Sequence, residues 1–141
     1  MKGCSIKKLI NLTSLFTIYE KTFVDDYYFT GESHDFWELV CVDRGEIIAV
    51  AGDRQLALKK GNILFHKPNE FHNVLTNGRI SPSLVVIGFD CHSPCMKAFE
   101  DQLMNVQDTE KELLAKTDVW TTLIRKNWFS WKSRPPLAHP S

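Results

Sequence analysis

Two stretches limit what this chain can fold into more than any other feature: Gly31-Glu32-Ser33-His34-Asp35-Phe36-Trp37-Glu38-Leu39-Val40-Cys41-Val42-Asp43-Arg44-Gly45 and, downstream, Gly61-Asn62-Ile63-Leu64-Phe65-His66-Lys67-Pro68-Asn69-Glu70-Phe71-His72-Asn73. From Phe36 to Val42 the residues are mainly apolar and partly β-branched, and Asp43-Arg44-Gly45 stops the run, which predicts a strand ending in a turn. Successive side chains on a regular strand point to opposite faces, so Glu32, His34, Phe36, Glu38 and Val40 would project together. Two carboxylates, an imidazole and an aromatic ring do not make an ordinary core face. They read as the inner wall of a small barrel.

The same residues carry a family resemblance. Glu32-x-His34, with Glu38 after three residues and Gly45 after six more, resembles the first cupin motif; Gly61, Pro68 and His72 resemble the second. In detail, His34-Asp35-Phe36-Trp37-Glu38-Leu39-Val40 and His66-Lys67-Pro68-Asn69-Glu70-Phe71-His72 are similar to the N-terminal sensor domain of AraC-type transcriptional regulators, over residues 8–115. The resemblance implies a mainly β chain: a cupin, or jelly-roll, double-stranded β-barrel followed by two short C-terminal α-helices that pair between subunits. It also implies a small-molecule effector, a sugar or related metabolite, together with a homodimer working in the cytoplasm.

Composition narrows the partners. The 17 basic residues equal the 17 acidic ones, so the chain offers no global attraction for nucleic acid or an anionic membrane. No run approaches the ~18 apolar residues that a membrane-spanning helix needs. The stretch Leu9 to Phe16 follows two lysines, but its polar interruptions read as an opening strand rather than a signal peptide. Of the four cysteines, Cys41 lies inside the apolar strand, Cys4 stands alone, and Cys91-His92-Ser93-Pro94-Cys95 lacks a second cysteine pair. Free thiols in a reducing cytosol fit better than zinc or disulfides.

Along the chain, residues 9–20 and 22–30 read as two short strands, with Phe23, Tyr27, Tyr28 and Phe29 available either to line a pocket or simply to pack between sheets. Glu46 to Ala51 and Gln55 to Leu58 form a hairpin around Gly52-Asp53, which needs positive φ at its first central position. Ile63 to Phe65, Val74-Leu75, a turn at Thr76-Asn77-Gly78 and Ser83 to Phe89 supply the remaining β pieces. Then the period changes: Ser93 and Pro94 suit a helix start, and Met96, Phe99, Leu103 and Val106 follow helical spacing. A second helix is expected from Thr109, with Glu112 at the capping-box position.

The sensor domain is therefore expected over residues 1–116, its helices beginning at about 94. Residues 117–141 form a basic, Trp- and Pro-rich tail with no helix-turn-helix pattern. The chain is thus expected to be a regulator's sensor domain separated from its DNA-binding half, as by truncation or a frameshift near residue 116, with no specific DNA binding of its own.

The candidate ligand-binding residues are Glu32, His34, Phe36, Glu38 and His72. His34, Glu38 and His72 could coordinate a divalent metal (Zn, Fe, Mn or Ni), since two imidazoles and a carboxylate form a facial ligand set. Metal-binding cupins carry histidine at the first position of the His-x-His pair; here Glu32 stands there and could itself ligate. The bland alternative is that His34 and Glu38 hydrogen-bond each other with no metal. His66 could face either way. Two functions follow: a ligand sensor, or a metal-dependent cupin oxygenase, isomerase or lyase using His34, Glu38 and His72. The regulator-like wording favours the sensor.

Overall fold

Trp37–Arg44 is buried on both faces, which is why it reads as an almost continuous apolar run rather than a clean alternation. The computed structural model describes residues 10–24, 30–76 and 81–106. Within them the chain forms β1 (Leu12–Thr22), β2 (Trp37–Arg44), β3 (Glu46–Ala51), β4 (Arg54–Lys59), β5 (Asn62–His66), β6 (His72–Thr76) and β7 (Ser83–Cys91). A short 3-10 helix (Pro94–Phe99) and a last strand, β8 (Leu103–Asn105), follow. The strands make two antiparallel sheets, one ordered β1-β7-β2-β5-β8 and the other β4-β3-β6. This is the cupin-like, mainly β architecture expected from the sequence.

The two sheets share one core. Val40 and Val42 from β2, Leu64 from β5, and Leu84 and Val86 from β7 pack with Ile47, Ala49 and Ala51 from β3 and Leu58 from β4. Each such Val, Leu or Ile side chain contributes about 1.5–3 kcal/mol when fully buried, so this layer carries much of the stability. The alternate residues of β2 look the other way. Trp37 packs with Phe89, Cys91 and Met96, the last from the 3-10 helix, and Cys41 packs with Val85 and Val106. The segment after β7 thus covers the outer face of the larger sheet and leaves the barrel interior open at Glu38.

The β3–β4 hairpin forms as expected: Ala51 pairs Arg54 across the turn, and Gly52 takes φ 62°. Two expectations are corrected. The first strand does not end at residue 20: β1 runs 11 residues, continues to Thr22 and pairs with β7 as far as Thr22–Ser83, while most of the expected strand at 22–30 lies outside the described residues. Two register shifts, between Leu12 and Ser14 and between Leu15 and Thr17, let so long a strand follow the twisted edge. Likewise no α-helix carries Met96 through Val106. Ser93 and Pro94 do start a helical turn, but it is 3-10 and ends at Phe99, and Leu103–Asn105 extends along the free edge of β5, Asn105 opposite Asn62. The expected second helix from Thr109, the tail at 117–141, Tyr27, Tyr28, Phe29, the turn at Asn77-Gly78 and Cys4 lie outside the described residues.

Cys41, Cys91 and Cys95 are free thiols, as expected. Burial, aided by Asp43, pushes the Cys41 thiol up to about 11, so it acts as a small apolar side chain. Among the described residues no helix is long and apolar enough to cross a membrane.

Candidate functional site

Glu32 and His72 meet through their backbones before their side chains do. Each donates its N–H to the other's carbonyl, at 3.0 and 2.9 Å, in an isolated antiparallel bridge outside the main sheets. Glu38 enters from the second residue of β2, where it pairs His66 on one side and Gly88 on the other. His34 lies in the loop between the bridge and β2, its carbonyl accepting the Asn69 N–H at 2.7 Å. Asn69 holds φ 65°, a left-handed conformation that Asn adopts more readily than most residues. The second motif thereby clamps the first.

These contacts bring Glu32, His34, Glu38 and His72 together, so that one ligating atom from each lies within 4.8 Å of the others. His34 Nδ1 lies 2.9 Å from the Phe36 carbonyl and His72 Nδ1 lies 3.0 Å from the Glu70 carbonyl. A carbonyl can only accept, so both Nδ1 atoms carry protons and both Nε2 atoms are turned to the carboxylates. His34 Nε2 is 3.2 Å from Glu38 Oε2, and His72 Nε2 is 3.6 Å from both Glu32 Oε1 and Glu38 Oε1. The His72 nitrogen is buried and has no hydrogen-bond partner. Nitrogen lone pairs facing carboxylates need a cation between them, either a proton or a metal.

The electrostatics follow from that arrangement. Burial works against ionising Glu38, but the imidazoles of His72, His34 and His66 outweigh it and hold its carboxyl below the usual range. Burial also works against charging His72, and there Glu38, the Glu70 carbonyl and Glu32 win, raising it. The ion pair is mutual. It is nearly closed off from water, because the Glu38 and His72 side chains are 11% and 5% exposed.

The remaining expected residue, Phe36, serves as a support. Its ring stacks on His34 with centroids 3.8 Å apart and planes 6° from parallel, and Phe16 leans on it at 4.5 Å. His66, open to either face in the sequence reading, points inward. It is fully buried, stacks on His72 at 4.5 Å between centroids, and has Nδ1 3.3 Å from Glu70 Oε1. Burial and the neighbouring His72 hold His66 down to about 4. Glu70, itself raised mainly by burial, also faces Lys67 Nζ at 3.8 Å.

A cleft of about 260 Å³ opens onto this cluster, lined by Glu32, Glu38 and His72 and by Tyr19, Lys21 and Phe23 of the β1 edge. Val40, Leu84 and Val86 form its apolar wall. The sequence left Phe23 either lining a pocket or packing between sheets, and the structure has it in both the cleft wall and the core; Tyr19 and Lys21 were missed. Their alternation with Phe23 at two-residue spacing was the available signal.

Comparison with known proteins bears on this cleft. Residues 16–78 match the family model described as the AraC-like ligand binding domain. Over that stretch the chain is similar to AraC-like ligand-binding domains. No curated protein sequence matches the chain significantly. Among solved structures, unsaturated fatty acid-bound ToxT from Vibrio cholerae is similar at 13% identity and a TM-score of 0.50, over 85% of this chain and 53% of that one. A cupin 2 domain-containing protein from Halorhodospira halophila is similar at 21% identity and a TM-score of 0.43, over 72% and 62%. The plu4264 protein from Photorhabdus luminescens is similar at 22% identity and a TM-score of 0.40, over 52% and 53%. At these identities the likeness is one of fold. The chain spans about half the length of the Photorhabdus and ToxT chains.

Proposed function

We propose that the AraC-like ligand-binding domain is the effector-sensing part of a cytoplasmic transcription regulator. Its cleft takes a small polar metabolite, a sugar or a close relative, and passes its occupancy to a dimer surface. One observation carries the reading: the His/Glu cluster lies at a metabolite-sized cleft with aromatic side chains on its wall. Carboxylates and imidazoles take hydroxyl groups, while Tyr19 and Phe23 add aromatic side chains to the wall. The ToxT structure, with its bound unsaturated fatty acid, supports a ligand role for this fold and leaves the ligand open.

A divalent cation fits the same cluster, since it would satisfy the partnerless His72 nitrogen and face the carboxylates with unprotonated imidazole nitrogens. His34, Glu38 and His72 would hold it, with Glu32 as a fourth donor, and the mixed N and O set suits Zn, Fe, Mn or Ni. Bound there, the ion would act as a Lewis acid toward a ligand hydroxyl or carboxylate. The two-histidine, one-carboxylate set is also what favours the second reading, a metal-dependent cupin enzyme.

Native mass spectrometry of protein purified without chelator or metal-binding tag tests the first reading. A small polar molecule should co-purify with the wild type and be lost in Glu38→Ala and His72→Ala, with unfolding midpoints that change less than ligand affinity does. Retention in both variants would defeat the assignment of the cleft. Elemental analysis of the same samples decides on the metal, and turnover of a hydroxy- or keto-substrate by the metal-loaded protein would favour the enzyme.

A further inference from the structure

We infer that, in the metal-free protein, the effector carries a primary ammonium group, as an amino sugar does, and that this group is seated among Glu32, His34, Glu38 and His72. The inference rests on the sensor reading, which supplies the sugar frame, and narrows it to a ligand class. The cluster offers acceptors only. His34 and His72 direct their Nδ1 protons at the Phe36 and Glu70 carbonyls, so each neutral ring presents an Nε2 lone pair beside the carboxylates. Among the described residues no Lys or Arg forms an ion pair with Glu32 or Glu38; imidazoles alone face them. The His72 side chain is 5% exposed, and its Nε2 has no hydrogen-bond partner although it is turned toward both carboxylates at 3.6 Å. A buried polar atom in that position is costly until something donates to it.

A hydroxyl brings one hydrogen and no charge, which leaves most of these acceptors unanswered. An ammonium brings a positive charge and three N–H donors, with no acceptor of its own. The spacing agrees. Four atoms that all lie within 4.8 Å of one another surround a centre at most roughly 2.9 Å from each, the length of a charge-assisted N–H···O bond, so one nitrogen can reach every member of the cluster. The cleft leads to this seat, since Glu32, Glu38 and His72 are part of its lining. Beyond them Val40, Val74, Leu84 and Val86 offer apolar surface to the carbon face of a ring. The volume of about 260 Å³ suits one such ring, being about nine waters' worth at ~30 Å³ each. Lys21, the cation of the cleft wall, is engaged away from the seat. Its Nζ lies 4.9 Å from the Phe23 ring centroid, and Lys21 pairs Leu84 where Glu38 pairs Gly88, four residues along the sheet.

The test is calorimetric titration of the full chain, stripped of metal with EDTA and dialysed, with glucosamine and galactosamine set against glucose and galactose at pH 7. Each pair differs only in one ammonium for one hydroxyl. The amino sugars should bind the wild type at least about tenfold more tightly than their parent hexoses. Glu38→Gln keeps the shape of the side chain and removes its charge, and should bring the amino sugars down to about the level of the hexoses. Glu32→Gln should lower the same preference severalfold; its side chain is 51% exposed, so this variant folds even if Glu38→Gln does not. Hexoses that bind the wild type as tightly as the amino sugars would overturn the inference and leave the sensor reading standing. Amino sugars that bind tightly but ignore both substitutions would overturn it too, by removing the cluster as the seat. Failure of every sugar, charged or neutral, to bind at millimolar concentration would overturn the inference and the sugar-sensing reading together.

Discussion

His66 is a fully buried imidazole stacked on that of His72, and acid should expose that. Burial and His72 lower it to about 4, from an ordinary value near 6.5. In that interval the unfolded chain binds the proton and the folded chain does not, so stability rises with pH. The contribution is fully present above pH ~6.5 and is lost as pH falls toward 4, by up to about 3 kcal/mol. Glu38, lowered in the fold, adds a loss in the same direction at still lower pH; His72, raised in the fold, contributes stability that fades as pH rises through its folded value. Urea unfolding of metal-free protein should therefore show stability dropping from pH 7 to 4.5, and His66→Phe should flatten most of that drop. An unchanged slope in His66→Phe would place the acid sensitivity elsewhere. The sequence announced His34, Glu38 and His72 because motif spacing fixes them. It left His66 open because the direction of a residue at the end of β5 depends on where Lys67-Pro68 turns the chain.

Between the motifs, the element that matters most is the short bridge from Gly31 to Glu32. Gly31 holds φ 90°, and a Cβ added there would collide with the Phe71 ring and come 3.0 Å from the His72 carbonyl. Gly31→Ala should thus cost about 1–3 kcal/mol, combining backbone strain with the clash. Because the next residue makes the bridge to His72, the variant should also weaken ligand or metal binding by displacing Glu32. Titration calorimetry beside urea unfolding checks both; lost stability with unaltered binding would mean that Glu32 contributes little to the site. Elements were unevenly legible. The hairpin at Gly52-Asp53 was readable because a tight turn demands particular residues. β8 was not, because Met96, Phe99, Leu103 and Val106 keep helical spacing while Leu103 is half exposed. What decides β8 is remote: the free edge of β5, the Val106 N–H donated to the Gly61 carbonyl at 2.7 Å, and the Asn62 side chain donating to that of Asn105.

At the scale of the whole molecule, the site sits where the sandwich is left open, so anything bound there should tighten the entire barrel. β2 is buried on one side by the smaller sheet and on the other by the segment after β7, and its single buried carboxylate is Glu38. That placement was legible as a polar interruption in an apolar strand, whereas the strand order of the two sheets was not, since it depends on pairings between residues far apart in sequence. An occupant that binds only the folded state stabilises it by about 2.7 kcal/mol at a concentration 100 times its dissociation constant. For a chain of this size that corresponds to roughly 5–10 °C in melting temperature. Zinc added to metal-free protein at pH 7.5 should give such a rise and EDTA should reverse it. The effect should shrink as pH falls, because His34 and His72 must each present an unprotonated Nε2 and the neighbouring carboxylates raise His72. His72→Ala should abolish the rise, while Cys95→Ser, remote from the cluster, should keep it. A zinc-induced shift that survives His72→Ala would show the ion stabilising the chain at some other place and would remove the metal from the cleft.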